Sequence, residues 1–170
     1  MRLPGAYAAI ASAAMSLALF ASPAQAQDVV MKALDFGELK AVSTELGYTL
    51  ADEGVDEDGD YYLEVQSDSG LMFYLYGAGC AEDDPAKGCL GLNMIASFTL
   101  NDEADAHEVM DSVSYAFMKI YRSGDDIKAS RYLIFDGGIT RENMKENVSV
   151  FVQIADAVWE QLAGLEVLAE

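Results

Sequence analysis

The chain is poor in the residues that most often carry chemistry. It has one histidine, one tryptophan and two cysteines in 170 residues. A zinc site or a histidine-based catalytic set needs several such side chains together, and His107 has no second histidine to join it. No Gly-x-Ser-x-Gly elbow and no glycine-rich phosphate loop occurs, so serine acyl transfer and nucleotide binding are left without a motif. Basic residues are few as well: ten Lys and Arg stand against 29 Asp and Glu, a formal net charge of −19. That charge repels phosphates, which excludes nucleic acid and anionic lipid as expected partners.

The chain begins with a recognisable address. Met1-Arg2 is a short basic start, Ala6 to Phe20 is a run of small and apolar residues, and Ser22-Pro23-Ala24-Gln25-Ala26 supplies a helix break and an Ala-x-Ala site. This layout predicts a secretory signal peptide over residues 1–26, cut between Ala26 and Gln27, its apolar run too short for a stable membrane span. The expected product is one domain over residues 27–170, periplasmic or secreted, with no membrane insertion after cleavage. In an oxidising compartment an even cysteine count favours a bond, so Cys80 and Cys89 are expected to form a structural disulfide.

The mature chain reads as α+β. Asp60 to Phe98 has β-branched and aromatic runs between turn signals, the pattern of a strand meander. Before it, Asp35-Phe-Gly-Glu38 has the form of a capping box, opening a helix over Phe36 to Leu46 that Gly47 ends. Tyr48 to Ala51 is a short strand, and the acidic run Asp52 to Asp60 reads as a turn. A second helix is expected from Asp102 to Ser112, carrying His107, and a second hairpin from Tyr115 to Asp136. Thr140 then caps a long helix with the apolar stripe Met144, Val148, Phe151, Ala155, Val158 and Leu162, bordered by Trp159. The order is α-β-β-β-β-α-β-β-α around an antiparallel sheet.

Strand parity assigns faces. A two-residue loop at Asp68-Ser69 or Ser69-Gly70 pairs odd residues with even ones. It puts Tyr61, Leu63, Val65, Met72, Tyr74 and Tyr76 on the expected core face. Pairing Cys80 with Cys89 puts Leu92, Met94 and Ala96 beside Phe73 and Leu75 on the other face. Phe73, Leu75, Leu92 and Met94 are then too apolar to stand in water uncovered: either another segment of the chain covers them as core, or another molecule does, which makes them a candidate interaction face.

The order of short motifs resembles the YbjN family. Leu46-Gly47-Tyr48, Asp58-Gly59-Asp60 and Phe73-x-Leu-Tyr-Gly, leading to Cys80, are followed by Tyr121-x6-Lys128 and Phe135-Asp136-Gly137-Gly138-Ile139-Thr140-x-Glu142-Asn143. The resemblance spans about Asp35 to Leu162 and implies a fold like that of type III secretion chaperones. It also implies a sensory transduction regulator with no established enzymatic activity, whose relatives pair as dimers and bind protein segments. The sequence departs from the family at Met110-Asp-Ser-Val-Ser-Tyr, where an aromatic-rich Asn/Trp segment is common.

The expectation is an exported, non-enzymatic protein-interaction, regulatory or chaperone-like module with no cofactor. Its partner would be another protein or a second copy in a homodimer. One alternative is a small-ligand or calcium sensor, with Tyr74 and Tyr76 lining a pocket or Asp56-x-Asp58-Gly-Asp60 holding the ion. An EF-hand loop, however, would want Gly and an acid where Tyr61 and Ser67 stand. A further alternative, motivated only by the abundance of acids, is an acid/base hydrolase with paired carboxylates.

Overall fold

Two short strands, β1 (Val30–Met31) and β2 (Leu34–Asp35), open the computed structural model, which describes residues 30–102 and 104–169. The expected signal peptide, with Ala26 and Gln27, lies outside the described residues. Asp35 caps α1 (Phe36–Glu45) by accepting the Gly37 N–H at 2.7 Å. Glu38 does not reach back to close the capping box; its carboxylate pairs with Arg141. The strands β3 (Thr49–Val55), β4 (Tyr61–Gln66), β5 (Met72–Ala78), β6 (Lys87–Cys89) and β7 (Gly91–Thr99) follow. Then come α2 (Ala106–Ser112), β8 (Lys119–Ser123), β9 (Asp126–Ile134), β10 (Ile139–Thr140) and α3 (Arg141–Gly164). Setting aside β1, β2, β6 and β10, which have only two or three residues, the order is α-β-β-β-β-α-β-β-α, as the sequence predicts.

Six strands form one antiparallel sheet in the order β3-β4-β5-β7-β9-β8. The β4–β5 hairpin overturns the faces drawn from the sequence. Ser67 N–H donates to Leu71 O at 2.9 Å, and Gly70 N–H donates to Ser67 O at 3.0 Å. The turn is therefore the three residues Asp68, Ser69 and Gly70, with Gly70 at φ +90° in the left-handed conformation. Three-residue hairpins place glycine there because a Cβ is disfavoured at that φ. Odd now pairs with odd, Leu63 with Leu75 and Val65 with Phe73. The parity drawn through the cysteines holds, with Leu75 opposite Met94 and Gly77 opposite Leu92.

Phe73, Leu75, Leu92 and Met94 are consequently core rather than an interaction face, each at 0% exposure. They join Leu63, Val65, Ala96 and Phe98 beneath α1 and α3 in one contiguous cluster. The whole apolar stripe expected on the last helix is buried in it. Phe73 lies 5.7 Å from Phe151 and 5.8 Å from Tyr48 between ring centroids. Removing an aromatic ring of this size from water stabilises the fold by roughly 2–3 kcal/mol. Across the helix layer, Arg141 on α3 donates to Glu45 and Glu38 on α1, tying the two helices together.

Other boundaries shift for local reasons. β3 runs on through the acids to Val55, with most of it exposed at the sheet edge, where charged side chains deter pairing with another chain. The turn is shorter than expected, and Asp56 builds it by accepting the N–H groups of Asp58 and Asp60 at 3.0 and 2.9 Å. α2 starts at Ala106 rather than Asp102, because Asp105 is the cap for His107 and Glu108. The following strand begins only at Lys119, after Phe117 adopts φ 64°. Cys80 and Cys89 are bonded, as expected.

Candidate functional site

The corrected register leaves the opposite sheet face free of helices. β4 presents Tyr62, Glu64 and Gln66 there, and β5 presents Met72, Tyr74 and Tyr76. β7 adds Asn93, Ile95 and Ser97, and β9 adds Lys128, Ser130 and Tyr132. Tyr62, Tyr74, Tyr76 and Tyr132 lie outside the core cluster. Sequence parity puts Tyr74 and Tyr76 on the core face or along a pocket. In the structure they line an open depression of about 340 Å³ with Asp60, Asn93, Ile95, Ser97, Lys128 and Tyr132. That volume falls within the range of ligand clefts, although this one is open to solvent along the sheet.

The tyrosines are held in place. Tyr74 and Tyr76 stack with centroids 5.8 Å apart, and Tyr62 lies 6.1 Å from Tyr74 and 5.9 Å from Tyr76. Tyr62 Oη donates to Asp52 at 3.0 Å and Tyr74 Oη donates to Glu64 at 2.9 Å. The bond to Glu64, followed by partial burial, pushes the Tyr74 hydroxyl up to about 12. The Asp52 bond raises Tyr62 in the same direction, and for Tyr76 burial is the main cause. Held by these contacts, the rings can be touched at little further loss of rotamer freedom. Tyr132, 54% exposed, lies across β7: a Cβ at Gly91 would sit 1.9 Å from its hydroxyl oxygen. Only glycine at that position lets the ring lie so close to the strand.

Charge divides across the face. Carboxylates alone, those of Asp52 and Glu64, stand on the β3–β4 half, whereas the β8–β9 half sets the amines of Lys119 and Lys128 beside the single carboxylate of Asp126. Elsewhere Lys40, Lys87, Arg141 and Lys145 are each in an ion pair with a carboxylate. Lys119 instead lies 4.6 Å from the Tyr121 ring centroid. Phe117, 83% exposed and at a backbone angle that bulky residues seldom adopt, projects beside Tyr132 at the rim.

The other sequence candidates do not assemble around this face. His107 is exposed on α2. Asp56 spends its carboxylate on its own turn, and among the described residues no group of three or more His, Cys, Asp or Glu is placed to hold a metal ion. No described helix is long and apolar enough to cross a membrane. Sequence reasoning missed Tyr132, Phe117 and Lys128 as neighbours of the tyrosines. The glycine of Asp68-Ser69-Gly70, read as the third residue of the turn, is the signal that would have found the face. Comparison with family models, curated proteins and solved structures finds no match for this chain.

Proposed function

We propose that the chain is an exported, non-enzymatic protein-interaction module of the YbjN type, chaperone-like in fold, that grips its partner on the helix-free tyrosine face. The observation that carries this reading is the contrast within one sheet. α1 and α3 pack on one side, while the other keeps four tyrosines, an isoleucine and a methionine outside the core. Tyrosine-rich surfaces with dispersed polar groups are the composition of protein recognition sites, where rigid amphipathic rings supply contact area. The split of charge fits a protein surface bearing both signs and would fix its orientation. Export is supported by the disulfide and by the Ala-x-Ala segment of the sequence.

A photo-crosslinking side chain at position 132, in cells that export the protein, tests this. The expected result is a discrete protein adduct that disappears when Tyr76→Asp is added, with the thermal midpoint of that variant unchanged within a few degrees. Adducts indifferent to Tyr76→Asp would overturn the reading.

A further inference from the structure

We infer that the open face continues into a slot between β5 and β7 that receives a short extended peptide carrying a basic side chain. The inference rests on the reading of that face as a protein-docking surface and describes its partner further.

The slot arises where two paired strands part. Pairing of β5 with β7 runs from Ala78↔Gly91 to Tyr74↔Ile95 and stops. Both strands go on, β5 back to Met72 and β7 forward to Thr99. Beyond that point each keeps a partner only on its far side: Met72 pairs with Gln66, and Ser97 with Lys128. A cavity of about 690 Å³ opens between them, walled by Met72, Ser97, Phe98 and, from α3, Asp156, Trp159 and Glu160. Ser97 also lines the tyrosine depression, so the two spaces meet there.

The free edge of β7 already accepts a strand in one place. Ala169 N–H donates to Thr99 O at 3.0 Å, and Asn101 N–H donates to Val167 O at 2.9 Å. Leu100, between them, donates the other way, to Asp125 O. Because neighbouring residues of a strand aim their backbone groups to opposite sides, the C-terminal segment lies on the side of β7 that faces β5. A guest strand entering between that segment and β5 would continue the same backbone pairing, the mode by which peptides add to open sheet edges.

Side-chain chemistry sets what the guest must carry. Among the lining residues are two carboxylates and no cation. Asp156 and Glu160 are one helical turn apart with Trp159 between them, and Ser69 Oγ donates to Asp156 at 2.7 Å. A lysine or arginine on the guest pointing toward α3 meets the carboxylates and the indole face together, an ion pair reinforced by cation–π attraction. Its neighbours point the other way, since side chains alternate along a strand, and reach the level of Met72 and the open face. Those positions call for apolar residues.

Trp159 is the sole tryptophan, so its emission reports on the slot directly. The probes are the acetylated, amidated tetrapeptide Val-Lys-Val-Leu, the same peptide with Glu for Lys, and the Lys peptide with methylated backbone amides. The lysine peptide is expected to shift Trp159 emission saturably. The Glu peptide and the methylated peptide should bind at least about tenfold more weakly, and the pair Asp156→Asn with Glu160→Gln should weaken the lysine peptide about as much. No shift up to millimolar lysine peptide, or equal affinity for all three probes, would overturn the slot. Adducts from position 132 that persist while the slot fails would leave the face as a docking surface without it. Peptide binding without such adducts would uphold the slot and remove the tyrosine face from docking.

Discussion

The two faces of one sheet are built from neighbouring residues and treated oppositely. Phe73 is fully buried between Tyr48 and Phe151, while Tyr74, the next residue, stands on the open side with its hydroxyl on Glu64. The difference comes from helix coverage, not from the strands themselves. α1 and α3 bury the odd residues of β4 and β5, leaving the even ones to the open side. A sheet covered on one side only needs an outer face that is tolerable in water, and tyrosines tied to carboxylates meet that need while remaining adhesive.

The sharpest way to break this comparison is to truncate adjacent rings. Phe73→Ala should cost about 3–5 kcal/mol in urea denaturation through the cavity it leaves, whereas Tyr74→Ala should cost about 1 kcal/mol or less. Equal losses would erase the distinction between the faces. Next in size is the disulfide at the end of the buried face. Replacing Cys80 and Cys89 by Ser, separated by nine positions, should lower stability by about 2–3 kcal/mol on the chain-entropy account, measured the same way. The smallest effect sharpens the open face alone. Followed by tyrosinate absorbance, Tyr74 should titrate late, at about 12, and Glu64→Gln should bring it back down toward the ordinary 10.0. For an acid whose folded value is raised above its unfolded one, the folded state holds its proton longer. Stability linked to that group is therefore fully present below about pH 10 and is lost as pH climbs from about 10 to about 12. Relative to Glu64→Gln, the wild type should lose stability across that alkaline window.

How much of this was legible in sequence turns on one residue. Helix periodicity gave α3 its buried stripe, Asp35 and Thr140 were readable as caps, and the cysteine pair aligned β5 with β7. The β4–β5 register was not legible in the same way. Asp68-Ser69-Gly70 fits both two- and three-residue turns, and moving the register by one exchanges every side chain between faces. The misassignment had a symptom: it left Glu64 and Gln66 among Phe73, Leu75, Leu92 and Met94. The register with Gly70 in the left-handed position groups those four with Leu63 and Val65 and releases the polar pair. The acidic half of β3 was hidden because Asp, Glu and Gly are weak strand formers, and only an edge position next to β4 lets them serve as one. Tyr132 and Phe117 were beyond reach, since their nearness to the open face depends on a strand order that brings β9 beside β7.

Central to this picture is that the tyrosine face, not the Phe73 face, meets solvent. Hydroxyl-radical footprinting of the native protein, read by mass spectrometry residue by residue, tests it most directly. Met72 and Tyr132, 37% and 54% exposed, should be oxidised quickly while Met94 and Phe73 stay protected until the protein unfolds. Rapid oxidation of Met94 and Phe73 with Met72 and Tyr132 protected would contradict it.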